Sequence, residues 1–338
     1  MILVTGSTGL TGRHLLLKLL KSKKPVRALY RSETKKKKTI SFLKLQQTQE
    51  SKINFEILEW FQGDITDLPS LTDAFQNITE VYHCAGLVSF DIRDKNKLRK
   101  INIEGTANVV NTALDAQVKK FCHVSSVAAL GEELEGKPIT EKSPRNKSKT
   151  YNYYEISKFG GEMEVWRASQ EGMEVIIVNP AIIIGSGSWQ SGSGQLFDRI
   201  AKGFPFKIPK TSGFVGVNDV VNAMILLMQS EVKNESFILV NQILSFDEIT
   251  QKIAKALKAS PPKYPIKKWM LYVFWIWQSL GYLFGNKKDI TLQSIRSFYK
   301  VPNFDNSKIN RFIDFEYTSI DEIIQQTAKE YLSEKEEN

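Results

Sequence analysis

The sequence predicts an α/β protein: a doubly wound parallel sheet followed by a smaller, mostly helical C-terminal region. Three observations carry that expectation. Short apolar runs alternate with longer helical stretches through the first half, a glycine-rich turn joins the first run to the first helix, and the composition is that of an ordinary globular chain. The apolar runs fall at 2–4, 26–30, 55–61, 81–84, 121–124 and 175–178, with helical stretches near 14–20, 71–75, 98–116 and 154–169 between them. Parallel strands need crossover connections, so this alternation covers the sheet with helices on both faces. Six such runs make the doubly wound order the expected topology.

After Pro180 the pattern changes. A Gly/Ser-rich stretch at 185–194 precedes a helix at 195–202, a strand-like segment at 213–217 and a helix at 218–230. A strand at 236–240 and a helix at 245–257 follow, and Pro261, Pro262 and Pro265 then break the chain before a last, mostly helical part. The expected division is a nucleotide-binding domain over 1–180, with 213–242 returning to it. The substrate-binding region then comprises 181–212 and 243–338.

The chain has 338 residues, 42% of them hydrophobic and 25% charged, which excludes collagen-like and wholly disordered classes. Two cysteines, Cys84 and Cys122, exclude a disulfide framework, and His14, His83 and His123 show no metal-ligand spacing, so no metal is expected. The net charge of +9 is local: residues 18–38 hold ten Lys/Arg against Glu33, leaving 36 basic and 36 acidic residues elsewhere. A nucleic-acid face would be spread more widely, so no nucleic-acid partner is expected. The lysine run at 35–38 reads as a solvated loop and Arg31 as a local anion site. The first strand begins at Ile2, with no charged and apolar leader before it, and the expectation is a cytoplasmic chain with reduced thiols.

The stretch 269–284 (WMLYVFWIWQSLGYLF) lies between Lys267-Lys268 and Lys287-Lys288. It falls short of the ~20 apolar residues that a spanning helix needs. It reads as a helix packed on the smaller domain. The alternative is peripheral membrane contact, since four aromatics in the six residues from Tyr272 to Trp277 exceed what a core needs.

The turn Val4-Thr5-Gly6-Ser7-Thr8-Gly9-Leu10-Thr11-Gly12 follows the first strand directly and opens the first helix. Gly6 permits a turn that a Cβ would obstruct, Gly9 lets the backbone approach a pyrophosphate, and Gly12 lets helix and strand pack closely. Backbone N–H groups around Thr8, Leu10 and Thr11, together with the helix dipole, favour phosphate. In this context the turn points to a Rossmann-type dinucleotide site. About twenty residues on, an NAD enzyme tends to place an acid on the ribose 2′-hydroxyl. Here the second strand ends in Arg31-Ser32, and an arginine can grip a 2′-phosphate with its fork. NADP is therefore expected over NAD.

Tyr154 and Lys158 stand one helical turn apart, which stacks them on one face. A phenol titrates near 10, and a neighbouring cation favours the phenolate, so Lys158 is expected to pull Tyr154 down. The strand at 121–124 delivers Ser125-Ser126 at its C-terminal end, where open parallel sheets bind ligands.

With these residues in place the sequence resembles the extended short-chain dehydrogenase/reductase superfamily. The matches run in order: Thr5-Gly6-x-x-Gly9-x-x-Gly12, Gly63-Asp64-Ile65, His83-Cys84-Ala85-Gly86, Asn102-x-x-Gly105-Thr106-x-Asn108 and Val124-Ser125-Ser126. Tyr154-x-x-Ser157-Lys158-x-x-x-Glu162, Val178-Asn179-Pro180 with Ile184-Gly185, and Phe214-Val215-x-Val217-x-Asp219-Val220 follow. The resemblance implies Ser126, rather than Ser125, as the catalytic serine, Tyr154 as proton donor or acceptor, and Lys158 on the nicotinamide ribose. It also implies Asp64 and Ile65 beside the adenine, Ala85 and Gly86 close to the cofactor, and Pro180 with Ile182 beside the nicotinamide.

Among the chemistries of that superfamily, the 4,6-dehydratases usually carry Asp-Glu after the catalytic hydroxyl residue, whereas Val127-Ala128 follow Ser126 here. Where many sugar-nucleotide enzymes place a basic residue before Phe214, this chain has Thr211-Ser212-Gly213. The segments 26–31 and 178–185 look more like dihydroflavonol and cinnamoyl-CoA reductases. The expected activity is an NADPH-dependent reduction of a ketone or aldehyde on a small, hydrophobic substrate. A sugar-nucleotide epimerase is the alternative, and a non-catalytic NADP-binding sensor or scaffold the third reading. The sequence is compatible with a homodimer.

Overall fold

The computed structural model describes residues 1–47, 53–133, 136–146, 148–283, 295 and 300–336. The first half alternates β1 (Ile2–Thr5), α1 (Leu10–Lys21), β2 (Val26–Tyr30), α2 (Glu33–Leu45), β3 (Leu58–Gln62), α3 (Leu68–Ala74) and β4 (Glu80–His83). A short α4 (Lys95–Leu98) runs through a π-helical turn (Arg99–Glu104) into α5 (Gly105–Asp115), then β5 (Lys120–Val124), α6 (Tyr153–Gln170) and β6 (Glu174–Pro180). Together with β10 (Glu235–Leu239) these strands form a seven-stranded sheet in the order β10-β6-β5-β4-β1-β2-β3, every pair parallel. That is the doubly wound arrangement, and the order reverses between β1 and β4.

The strands alternate their side chains between two helical layers. Ile2, Val4, Val26, Ala28, Tyr82, Cys122, Ile176 and Val178 pack with the apolar faces of α1, α2 and α8 (Val217–Gln229). Leu3, Leu29, Val81, Phe121, Val175 and Ile177 pack with those of α3, α5 and α6. The lysine run at 35–38, read as a loop, is instead the first half of α2. The Ser32 side chain caps that helix by accepting from Lys35 N–H, Lys36 pairs with Glu33 one turn back, and Thr39, Phe42 and Leu43 are buried on the inner face. The lysines occupy its wet face.

Past β6 the chain forms β7 (Ile182–Ile184), α7 (Gly194–Ala201), β8 (Phe206–Lys207), β9 (Thr211–Gly216), β11 (Gln242–Ser245), α9 (Phe246–Ala256) and β12 (Tyr264–Pro265). Then come α10 (Lys268–Leu283) and α11 (Ile320–Glu336). β11, β9 and β7 make a three-stranded sheet, and β12 pairs with β8. A separate core joins Phe197, Phe214, Ile249, Ile253, Ile324 and Tyr331 from these elements. Ser245 and Glu248 close a reciprocal capping box at the start of α9, matching the helix expected from 245.

No helix among the described residues is long and apolar enough to cross a membrane. The 269–284 stretch is α10 as far as Leu283; Phe284, Lys287 and Lys288 lie outside the described residues.

Candidate active site

Gly6 ends β1 in the left-handed region (φ 63°), and a Cβ there would come within 2.5 Å of the Ala85 nitrogen. A Cβ on Gly12 would lie 2.2 Å from the Gly6 carbonyl oxygen, so neither position accepts a larger residue without displacing backbone. Gly9 N–H donates to that same oxygen at 2.9 Å. Gly9 is also the N-cap of α1 and brings no capping side chain, so none competes for the N–H groups of Leu10, Thr11 and Gly12. The Thr8 carbonyl is held by Arg13 at 2.9 Å. This cradle, at the crevice between β1 and β4, fits a dinucleotide pyrophosphate.

Arg31 and Asp64, which end β2 and follow β3, are brought together with Nη1 at 3.3 Å from Oδ2. Burial alone would push the Asp64 carboxyl up. Hydrogen bonds from Thr66 N–H (2.9 Å) and Thr66 Oγ1 (3.0 Å), with the Arg31 charge, outweigh it and hold the group below its ordinary value. Ile65 packs where Gly105 leaves room for it. Ala85 and Gly86 follow β4, and a Cβ on Gly86 would face Asn102 Oδ1 and Lys158 Nζ. Pro180 closes β6, and Ile182 opens β7 across a single residue.

The opposite wall is built by β5 and α6. An Asn152–Glu155 capping box fixes the start of α6, and Gly161 lets its third turn press on the π-helical turn, where a Cβ would meet the Asn102 carbonyl at 2.2 Å. Asn102 in turn donates from Nδ2 to the Leu87 carbonyl and to Ser157 Oγ, both at 2.9 Å, and accepts from Leu87 N–H at 2.7 Å. π turns of this kind recur at functional sites.

Ser126 caps a short 3-10 turn by accepting from Ala128 N–H at 3.2 Å and is hydrogen-bonded to the Tyr154 side chain. Ser125 points the other way and donates to Glu162 Oε2 at 2.6 Å. Lys158 is buried, and its Nζ donates to the Val124 carbonyl at 2.9 Å. Burial brings its ammonium down to about 8, against the opposing charge of Glu162.

The expected depression of Tyr154 by Lys158 does not occur in the chain alone. Burial pushes the phenol up, and only the Ser126 hydrogen bond works against that shift. One helical turn sets the two residues on one face, but the lysine amine is spent on the end of β5.

Glu162 was legible only as part of a motif, and its role emerges from contacts. Its carboxylate accepts from Ser125, from Asn179 Nδ2 at 2.8 Å and from Trp166 Nε1 at 3.4 Å, tying β5, β6 and α6 beneath the cluster. Arg13 gave no sequence signal beyond its place in the first helix. It is buried and donates to the Thr8 and Gly187 carbonyls, joining the glycine-rich turn to the Gly/Ser-rich stretch. His83 bonds Thr5 Oγ1 at 2.7 Å and Thr106 Oγ1 at 3.0 Å, and burial holds it neutral, down at about 3.

The rim beside Tyr154 is apolar. The Phe90 ring stands edge-on to the Tyr154 ring at 5.5 Å, and Val88, Phe90 and Ile92 are exposed. A separate cavity of about 380 Å3 opens by β8, β9 and β12, bounded by Lys207, Lys210, Asp247 and Ile266, and is not lined by Ser126, Tyr154 or Lys158.

A dinucleotide cradle at the sheet's reversal point, faced by a hydroxyl pair and a buried lysine, defines a nicotinamide-dependent enzyme of the extended short-chain dehydrogenase/reductase type. Residues 2–240 match the NAD dependent epimerase/dehydratase family, and the chain belongs to that family. It is 29% identical over 282 residues to tetraketide alpha-pyrone reductase 2 of Arabidopsis thaliana, covering 78% of this chain and 84% of that protein. To UDP-glucose 4-epimerase of Vibrio cholerae it is 28% identical over 302 residues, covering 86% and 83%. Among solved structures, that of gox2253 superposes with a TM-score of 0.81 at 24% identity, covering 99% of this chain and 98% of that one, which shows the shared fold. Both reductases and epimerases therefore stand among its relatives.

Proposed function

We propose that the protein is an NADPH-dependent reductase of an apolar ketone or aldehyde. The observation that carries the reading is the setting of Tyr154. Burial keeps the phenol protonated at neutral pH, Ser126 is bonded to it, and its ring borders an exposed apolar rim at Phe90. A reduction needs a proton delivered to the carbonyl oxygen, and a phenol held in its acid form is suited to deliver it.

When bound, the nicotinamide nucleotide supplies hydride equivalents. Gly6, Thr8, Gly9, Leu10, Thr11 and Gly12 would hold its pyrophosphate, Asp64 and Ile65 its adenine side, and Ala85, Gly86, Pro180 and Ile182 the nicotinamide end. Lys158 would bind the ribose. Ser126 orients the substrate oxygen, Tyr154 donates the proton to it, and Asn102 holds the backbone at Leu87 in register with Ser157. Arg31, with no acid at the end of β2, favours a 2′-phosphate and hence NADPH over NADH.

Thr211-Ser212-Gly213 directly ahead of Phe214, with no basic residue among the three, supports a reductase over an epimerase. At Gly213 a Cβ would lie 2.8 Å from a Val240 methyl, so a larger residue there would have to displace that side chain. The division into a nucleotide-binding part, 1–180 with 213–242, and a substrate part, 181–212 and 243–338, follows the same reading. Two free thiols, Cys84 and Cys122, suit a reducing, cytoplasmic setting.

The test is NADPH oxidation against a panel of apolar aldehydes and ketones beside UDP-sugars. Stoichiometric oxidation with a carbonyl compound supports the reading. Interconversion of a UDP-sugar without net consumption of nucleotide would replace it with the epimerase, and nucleotide binding without turnover on the whole panel with the sensor.

A further inference from the structure

α10 turns its most apolar side outward. Trp269, Tyr272, Val273, Ile276 and Trp277 are exposed and recur at i, i+3, i+4, i+7 and i+8, a single stripe along the helix. The two indoles are the most open, at 63% and 67%. Leu271 and Gln278 are buried on the inner side. A helix that served only the core would show the reverse, with glutamine outside and indoles within. Just ahead of the helix in the chain, Tyr264 of β12 is exposed as well, with its ring centroid 6.5 Å from that of exposed Phe206 on the paired strand β8. The helix lies beyond residue 240, where the family match ends.

The chain leading into this helix is rich in lysine. Residues 249–283 contain six lysines and neither Asp nor Glu; Lys252 pairs with Asp321, and Lys255, Lys258, Lys263 and Lys267 are exposed. A second copy of the chain laid on this face would bring lysines against lysines. An anionic surface brings opposite charge. Residues 269–277 cover about 12 Å of helix, far less than a bilayer's thickness but ample for a helix lying in its plane.

We propose that α10 docks the protein on the surface of an anionic lipid bilayer. The helix lies in the interface, with Trp269 and Trp277 at headgroup depth and the flanking lysines against lipid phosphates. Docking would hold the protein beside a phase in which apolar carbonyl compounds concentrate, although the surface is argued without reference to the activity.

The experiment is flotation of the full chain with vesicles of equal parts phosphatidylcholine and phosphatidylglycerol, and with phosphatidylcholine alone. The chain should float with the anionic vesicles at low salt, with at least about tenfold stronger partition than with neutral ones, and added salt should weaken it. The Trp269→Glu/Trp277→Glu variant alters only exposed positions. It should keep its circular dichroism and NADPH binding and lose at least about tenfold in partition. Failure of the wild type to float, or equal flotation of the variant, overturns the proposal. A wild-type dimer in light scattering that the variant dissolves, with no flotation of either, overturns it in favour of an interface between copies. Flotation reads the docking alone, so its failure leaves the reductase assay untouched.

Discussion

Replacing Tyr154 by Phe removes one oxygen and little else. The ring keeps its edge contact with Phe90, and α6 keeps its Asn152–Glu155 cap, so the helix should stand unchanged. What is lost is the hydrogen bond with Ser126, whose Oγ still accepts from Ala128 N–H. A neutral hydrogen bond of this kind contributes about 1 kcal/mol, which sets the expected fall in stability. The kinetic loss is of another size. Without a positioned acid, the oxygen of the substrate must take its proton from water, a loss of about 10²- to 10⁴-fold, equivalent to roughly 2.7–5.4 kcal/mol in the barrier. Single-turnover NADPH oxidation measures that step, and titration of the nucleotide's fluorescence should give nearly unchanged binding. Wild-type turnover in the variant, or a nucleotide affinity that falls in parallel with the rate, would refute the assignment of the proton to Tyr154.

Lys158 should set the alkaline limb of the rate profile. With burial bringing it down to about 8, its charge is present below that pH and lost above it, so kcat/KM should fall as pH rises through about 8; an unchanged limb in Lys158→Met would reject this. The same shift has a stability sign. The folded state gives up the proton before the unfolded one, so the lysine's contribution to stability rises from about pH 8 toward its ordinary 10.5, and denaturant midpoints of Lys158→Met should lack that rise. Arg31→Ala should cut the NADPH-to-NADH preference by about 10- to 100-fold, the loss of a charged hydrogen bond of ~1.5–3 kcal/mol, as paired kcat/KM values would report. Gly12→Ala drives a methyl to within 2.2 Å of the Gly6 carbonyl oxygen, and thermal melts should show a loss of about 1–3 kcal/mol together with weakened nucleotide binding.

The strands of the main sheet were legible because each is a short apolar run, and the order followed from the crossovers between them. α2 was not, because four consecutive lysines conceal a buried side made only of Thr39, Phe42 and Leu43, while its cap is a single serine. The two-residue strands β8 and β12 carry too few side chains to leave a periodic mark. In the site, motif spacing indicated Ser126, Tyr154 and Lys158, and it set Tyr154 and Lys158 on one face, yet it could not say where the lysine's amine would go. That depends on the Val124 carbonyl, a backbone atom with no sequence signature. Glu162 and Arg13 act through side chains and carbonyls far along the chain, and only three-dimensional contact reveals them.

Arg13 has a consequence for how the cleft can open. Its buried guanidinium bridges two carbonyls, at Thr8 on one wall and at Gly187 on the other, so parting those walls would strand a cation away from both partners. That side behaves as a hinge pin. At the far edge Val88, Phe90 and Ile92 stand in solvent.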